Sequence, residues 1–216
     1  AYWIASQVRS DIANGVKPGD IGVLVRTNSL ITELENIFTE MNIPTRISGG
    51  KSFFDRREIR DILCYLKVLL NSHDDTSLLR IINTPRRGIG RTTVERLRAD
   101  ADRRGTSLYE AMEHLTGESG GLMQKSRDAL RRFQERIVSW KALSDKAPSH
   151  IIERIVEDTG YEGMLAEEFP DSPKSVDYRM HGIEILSTRL KRFIDEHDGA
   201  TMKDYVNAVS LIGDES

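Results

Sequence analysis

One cysteine, six prolines and an aromatic content of 6% leave this 216-residue chain few covalent or rigid constraints. With Cys64 alone, no disulfide framework is possible within the chain, and a reducing cytoplasm is the expected setting. No apolar run reaches membrane-spanning length, and no signal-peptide pattern is present. Neither charge sign dominates. Lys and Arg total 31 against 34 Asp and Glu, so a net charge of −3 gives no global pull toward nucleic acid. His73, His114, His150, His181 and His197 show no metal-ligand spacing, and one thiol cannot complete a thiolate site, so no metal is expected. The chain also lacks a Gly-x-x-x-x-Gly-Lys-Ser/Thr phosphate loop and an acidic magnesium box, so it is expected to be inactive alone as a nucleotide hydrolase. It opens at Ala1 inside a helical pattern and ends without an obvious tail, so an excised piece of a longer protein is expected.

What is present is unevenly placed charge. Arg80 to Arg104 holds eight arginines against three acids, and Gln124 to Lys141 six cations against two acids. From Ile151 to the end, seven cations face fifteen acids. A basic middle and an acidic end therefore cancel in the total. Solvated helix faces account for such runs in most proteins, but this basic middle surrounds a turn rich in glycine.

Periodicity organises the rest. Ile4, Val8 and Ile12 predict an amphipathic helix from Tyr2 to Asn14, followed by the turn cluster at 15–20. The β-branched run Ile21–Val25 predicts a buried strand, 30–41 a helix, and Thr45–Ser48 a second strand closed by Gly49 and Gly50. A strand, a helix and a strand in this order predict a βαβ-like unit with parallel pairing. From Asp55 onward the pattern is wholly helical, with helices expected at 58–70, 77–83, 92–104, 108–115, 125–144, 149–158, 161–168, 176–197 and 202–209. The expected fold is mainly α: a partial α/β piece over 1–72, then an all-α domain over 73–216. The polar stretch Asn71–Asp75 is the expected boundary and hinge.

The stretch from Asn83 to Thr93, NTPRRGIGRTT, carries the chemistry. Pro85 ends the preceding helix. Gly88 and Gly90 permit unusual backbone and close approach, and a helix begins near Arg91 with free N–H groups and a dipole that favours anions. Arg86, Arg87 and Arg91 add forked donors, Thr92 and Thr93 add hydroxyls, and Ile89 is the buried peg between the glycines. None of these reads a base; together they suit the sugar–phosphate backbone, as in helix-hairpin-helix elements. The same spacing also fits an ordinary interhelical turn with solvated arginines.

From Ile21 to Gly90 the chain resembles the UvrD/PcrA/Rep-like superfamily 1 DNA helicases. The resemblance rests on VLVRTNS, NIP, GGKSFFDRREIRD, NSHDD and TPRRGIG in consistent spacing, and continues more loosely through ERIVEDTGYEGML and VNAVSLIGDES. It implies that 1–72 is the first part of the second motor subdomain and 73–216 the helical domain inserted into it. Arg26 then matches the arginine that reaches the ATP γ-phosphate. Val25 stands where the family has a tyrosine that stacks on adenine, which valine cannot do. Phe53, Phe54 and Arg56 fall in a motif near the single-strand path. They are candidates for base stacking and phosphate contact, or equally for core packing and a structural ion pair with Glu58.

The implied function is a duplex-DNA-binding accessory part of an ATP-dependent helicase in repair or replication. Its implied partners are duplex DNA, single-strand/duplex junctions and repair or replication proteins, with no membrane. ATP and Mg²⁺ are implied for the full-length protein and no bound cofactor for this piece. The alternatives are a helical protein-interaction platform without DNA contact and, less well supported, a helix-hairpin-helix glycosylase, for which no lysine–aspartate active site is recognisable.

Overall fold

The computed structural model describes residues 1–26, 28–41, 43–47, 53–117 and 121–214. Eleven α-helices make up the described fold: α1 (Tyr2–Ala13), α2 (Asn28–Glu40), α3 (Arg57–Leu70), α4 (Asp75–Ile81), α5 (Arg91–Arg104), α6 (Leu108–Thr116), α7 (Gln124–Lys146), α8 (Ile151–Thr159), α9 (Tyr161–Glu168), α10 (Pro173–Glu196) and α11 (Met202–Asp214). Each helix expected from periodicity is present, displaced by a few residues at its ends.

The α/β expectation is overturned. Among the described residues there is no strand, so the fold is all-α there. Ile21 leaves a short 3₁₀ turn with extended backbone, φ −103° and ψ 119°, yet residues 21–25 form no ladder among the described residues. Leu24 is fully exposed, while Ile21 and Val25 lean on a neighbouring apolar cluster. Residues 43–47 are likewise without strand pairing, and Ser48, Gly49 and Gly50 lie outside the described residues. β-branched composition makes a segment fit a pleated surface, but a strand exists only when another backbone answers its N–H and C=O groups. Composition was legible here, and the missing partner was not.

Two apolar cores form among the described residues. The smaller joins α1 and α2 through Ala5, Val8, Leu34, Ile37, Phe38 and Ile43. The larger runs from Phe53 to Val209 and is centred on α3, which buries Ile59, Ile62, Tyr65, Leu66 and Val68 almost completely. This core continues across Asn71–Asp75, because α3 packs on α4 as well as on α7 and α10. The cores are joined by a buried ion pair: the Arg56 guanidinium donates to the Glu35 carboxylate, which also accepts from the Phe53 backbone N–H. Local signals set several helix ends. Asp74 caps α4 by accepting from the Ser77 N–H, and Ser107 with Glu110 forms a reciprocal capping box on α6.

Three tyrosines that are 4% exposed or less make the fold sensitive to alkali. Burial raises the hydroxyl pKa of Tyr65, of Tyr161, and of Tyr205, the last to about 12. Each is raised above its unfolded value of about 10, so its contribution is complete below that pH and is lost as pH rises toward 12. Helical circular dichroism and tyrosinate absorbance should therefore change together in that window. Complete ionisation of all six tyrosines near pH 10 with helicity intact would contradict it.

Candidate nucleic-acid interface at the glycine turn

The turn between α4 and α5 separates its glycines by role. Gly88 has φ +81°, a left-handed conformation that a side chain strains. Gly90 is the N-cap of α5 with φ −83° and ψ 174°, ordinary extended backbone, and a Cβ built there meets open space. The expectation that Gly90 needs special backbone therefore passes to Gly88. Ile89, 1% exposed, is buried between them as expected for the peg.

The arginines divide as well. Arg86 is exposed, makes no ion pair among the described residues, and lines a cleft of about 750 Å³ beside the turn with Arg57, Asn83, Thr84 and Gly160. Arg91 is 92% exposed and pairs with Glu95 one helical turn on, at 2.7 Å. Arg87 instead turns inward. Its guanidinium donates to the Ile81 carbonyl and to the Tyr65 hydroxyl (2.5 Å) and lies 4.7 Å from the Phe133 ring centre. The Arg87 backbone N–H is held by Asn83 Oδ1, so this residue braces the turn from behind. Thr92 is exposed at the first turn of α5. Thr93 is buried, and its hydroxyl donates to Ser126 Oγ on α7 at 3.2 Å.

The outward set is thus Arg86, Gly88, Gly90, Arg91 and Thr92, on a helix start where the Thr93 and Val94 N–H groups already bond the Gly90 carbonyl. Ile89, Arg87 and Thr93 hold the set in place.

Elsewhere the sequence candidates scatter. Phe53 is 2% exposed and Arg56 is 8% exposed, spent on Glu35; Phe54 is half-buried. The ion-pair partner of Arg56 is thus Glu35, while Glu58 accepts from Arg179 at 2.9 Å. Arg26 is exposed just after residues 21–25.

One cluster escaped sequence reading. Asp61, 2% exposed, accepts from Arg80 Nε at 2.7 Å and from the Tyr161 hydroxyl at 2.7 Å, tying α3 to α4 and α9 beneath the turn. Its only sequence signal is an acid on the apolar face of α3, since Tyr161 lies 100 residues away.

Residues 1–121 match the model of the UvrD-like helicase C-terminal domain. The chain is 35% identical over 169 residues to the ATP-dependent DNA helicase PcrA of Staphylococcus epidermidis strain RP62A, and 35% identical over 171 residues to the PcrA of Staphylococcus aureus strain Mu50. Each match covers 78% of this chain and 23% of the relative, so the chain spans less than a quarter of those proteins. No helix among the described residues is long and apolar enough to cross a membrane. With more than half its length matched by the family model, the chain belongs to the UvrD-like helicase C-terminal domain family, as a C-terminal part of a UvrD/PcrA-type helicase.

Proposed function

We propose that this chain is the accessory, duplex-binding part of an ATP-dependent DNA helicase, gripping the sugar–phosphate backbone at Asn83–Thr93. The observation that carries it is the split within the turn: Arg86, Arg91 and Thr92 face solvent at the start of a 14-residue helix, while Ile89 and Arg87 anchor the loop from inside. Free N–H groups, the helix dipole and forked cations attract phosphate without reading sequence. The resemblance supports residues 1–72 as part of the second motor subdomain and 73–216 as its inserted helical domain. The shared core makes α3 a structural member of the helical body. In the parent protein ATP and Mg²⁺ bind chiefly to segments with the phosphate loop, and this chain contributes Arg26.

Forked-DNA binding across a salt series tests the grip. Gly90→Asp places an anion where phosphate approaches, in backbone that tolerates a side chain, so affinity should fall about tenfold or more with folding intact. Arg86→Ala should reduce the salt slope by about one unit on every duplex sequence. If Gly90→Asp binds as tightly as the parent at all salt concentrations, the turn is structural, and a protein-docking role of the acidic half takes its place.

A further inference from the structure

The last two turns of α10 carry a second group of donors on a different helix. Arg189, Arg192 and Phe193 recur at three- and four-residue spacing and so share one face, and His197, the residue after the helix, stacks on Phe193. Together with Phe54 and Tyr205 of α11 they line a cleft of about 250 Å³. Glu196, which also lines the cleft, lies 4.0 Å from Arg192 and offsets part of its charge.

One buried group in this cleft lacks a partner, and a half-buried cation stands beside it. Arg189 is half-buried, with its guanidinium 5.2 Å from the Phe54 ring centre and 5.9 Å from that of Phe53. Among the described residues no carboxylate lies within salt-bridge distance of it and no acceptor receives its N–H groups; Glu35 is committed to Arg56 and the Phe53 N–H. Tyr205 is 4% exposed, and its hydroxyl has no hydrogen-bond partner. Burial pushes that hydroxyl up to about 12, so at neutral pH it keeps its proton and can donate. Buried donors are normally answered, and a guanidinium keeps its charge even when partly desolvated. The complementary group is an oxyanion with several acceptor oxygens.

Flat aromatic surface adjoins the donors. Phe193 and His197 stack at 4.7 Å with planes 28° apart, and Phe54 lies against Arg189. A phosphate among forked donors beside ring faces is the chemistry of a nucleotide. We propose that this cleft binds a nucleotide phosphate through Arg189, Arg192 and Tyr205, with the base against Phe54 and the Phe193–His197 pair. The proposal is independent of the glycine turn.

The test is a titration of the ¹⁵N-labelled chain, following arginine Nε–H signals, with inorganic phosphate, a 5′-phosphorylated dithymidine dinucleotide, and a single-stranded oligothymidylate. The Arg189 signal should shift saturably, with the dinucleotide binding about tenfold tighter than inorganic phosphate through stacking. Arg189→Met should weaken the dinucleotide by about tenfold or more. Tyr205→Phe removes only an unpartnered hydroxyl, so it should fold normally and bind a few-fold more weakly. An oligonucleotide that binds tighter than the dinucleotide identifies a strand as the source, and equal binding a free nucleotide. Absence of a saturable shift, equal affinity for phosphate and dinucleotide, or binding that survives Arg189→Met overturns the assignment.

Discussion

Arg87→Ala is expected to cost the fold about 2–4 kcal/mol, although the residue sits in the middle of a basic, phosphate-binding pattern. The guanidinium lies over Phe133, donates to the Tyr65 hydroxyl, and answers the carbonyl of Ile81 at the end of α4. Alanine leaves that carbonyl without this donor and opens a void between two buried aromatic rings. Both effects act on the folded state alone. Tyr65 retains its bond to the Thr84 carbonyl at 2.6 Å, so the loss is large but not total. Urea unfolding should show a lower midpoint with an unchanged slope. Arg86→Ala, one residue earlier and exposed, should leave the midpoint where it was. Equal midpoints for the Arg87 variant and the parent chain would return Arg87 to the outward, phosphate-facing set.

In the full-length enzyme, Arg26→Ala should lower kcat for ATP by about 100-fold or more and leave KM nearly unchanged. By resemblance Arg26 is the counterpart of the family's γ-phosphate arginine, and it stands exposed just after residues 21–25. A cation fixed beside the γ-phosphate acts on charge that develops in the transition state. Its removal therefore falls on turnover rather than on ground-state binding. Binding to single strands should persist in the variant, which separates lost chemistry from lost folding. A variant that turns over ATP at the parental rate would remove Arg26 from that role.

Arg86, Arg87 and Arg91 are chemically alike and stand within six positions, and local pattern assigned them one task. In the structure two face water and one is packed inside, because the surfaces of α3 and α7 bring Tyr65 and Phe133 to Arg87 and nothing comparable to its neighbours. The glycines behave alike: the motif marks both, but only the backbone path shows that Gly88 carries the positive φ and Gly90 does not. The Arg56–Glu35 pair and the Asp61 cluster join residues far apart in the chain, so no short window could contain them.

The helices, their caps, the glycine turn and the family were written in the residues themselves, because helical hydrogen bonds close within four positions and a 3.6-residue period marks the buried face directly. Strand pairing, the inward turn of Arg87, the unanswered donors at Arg189 and Tyr205, and the core that runs across Asn71–Asp75 were settled only by tertiary packing. Each depends on which distant surface arrives beside a residue. An extended β-branched segment becomes a strand, and a buried cation a brace or a ligand site, only according to the partner that meets it.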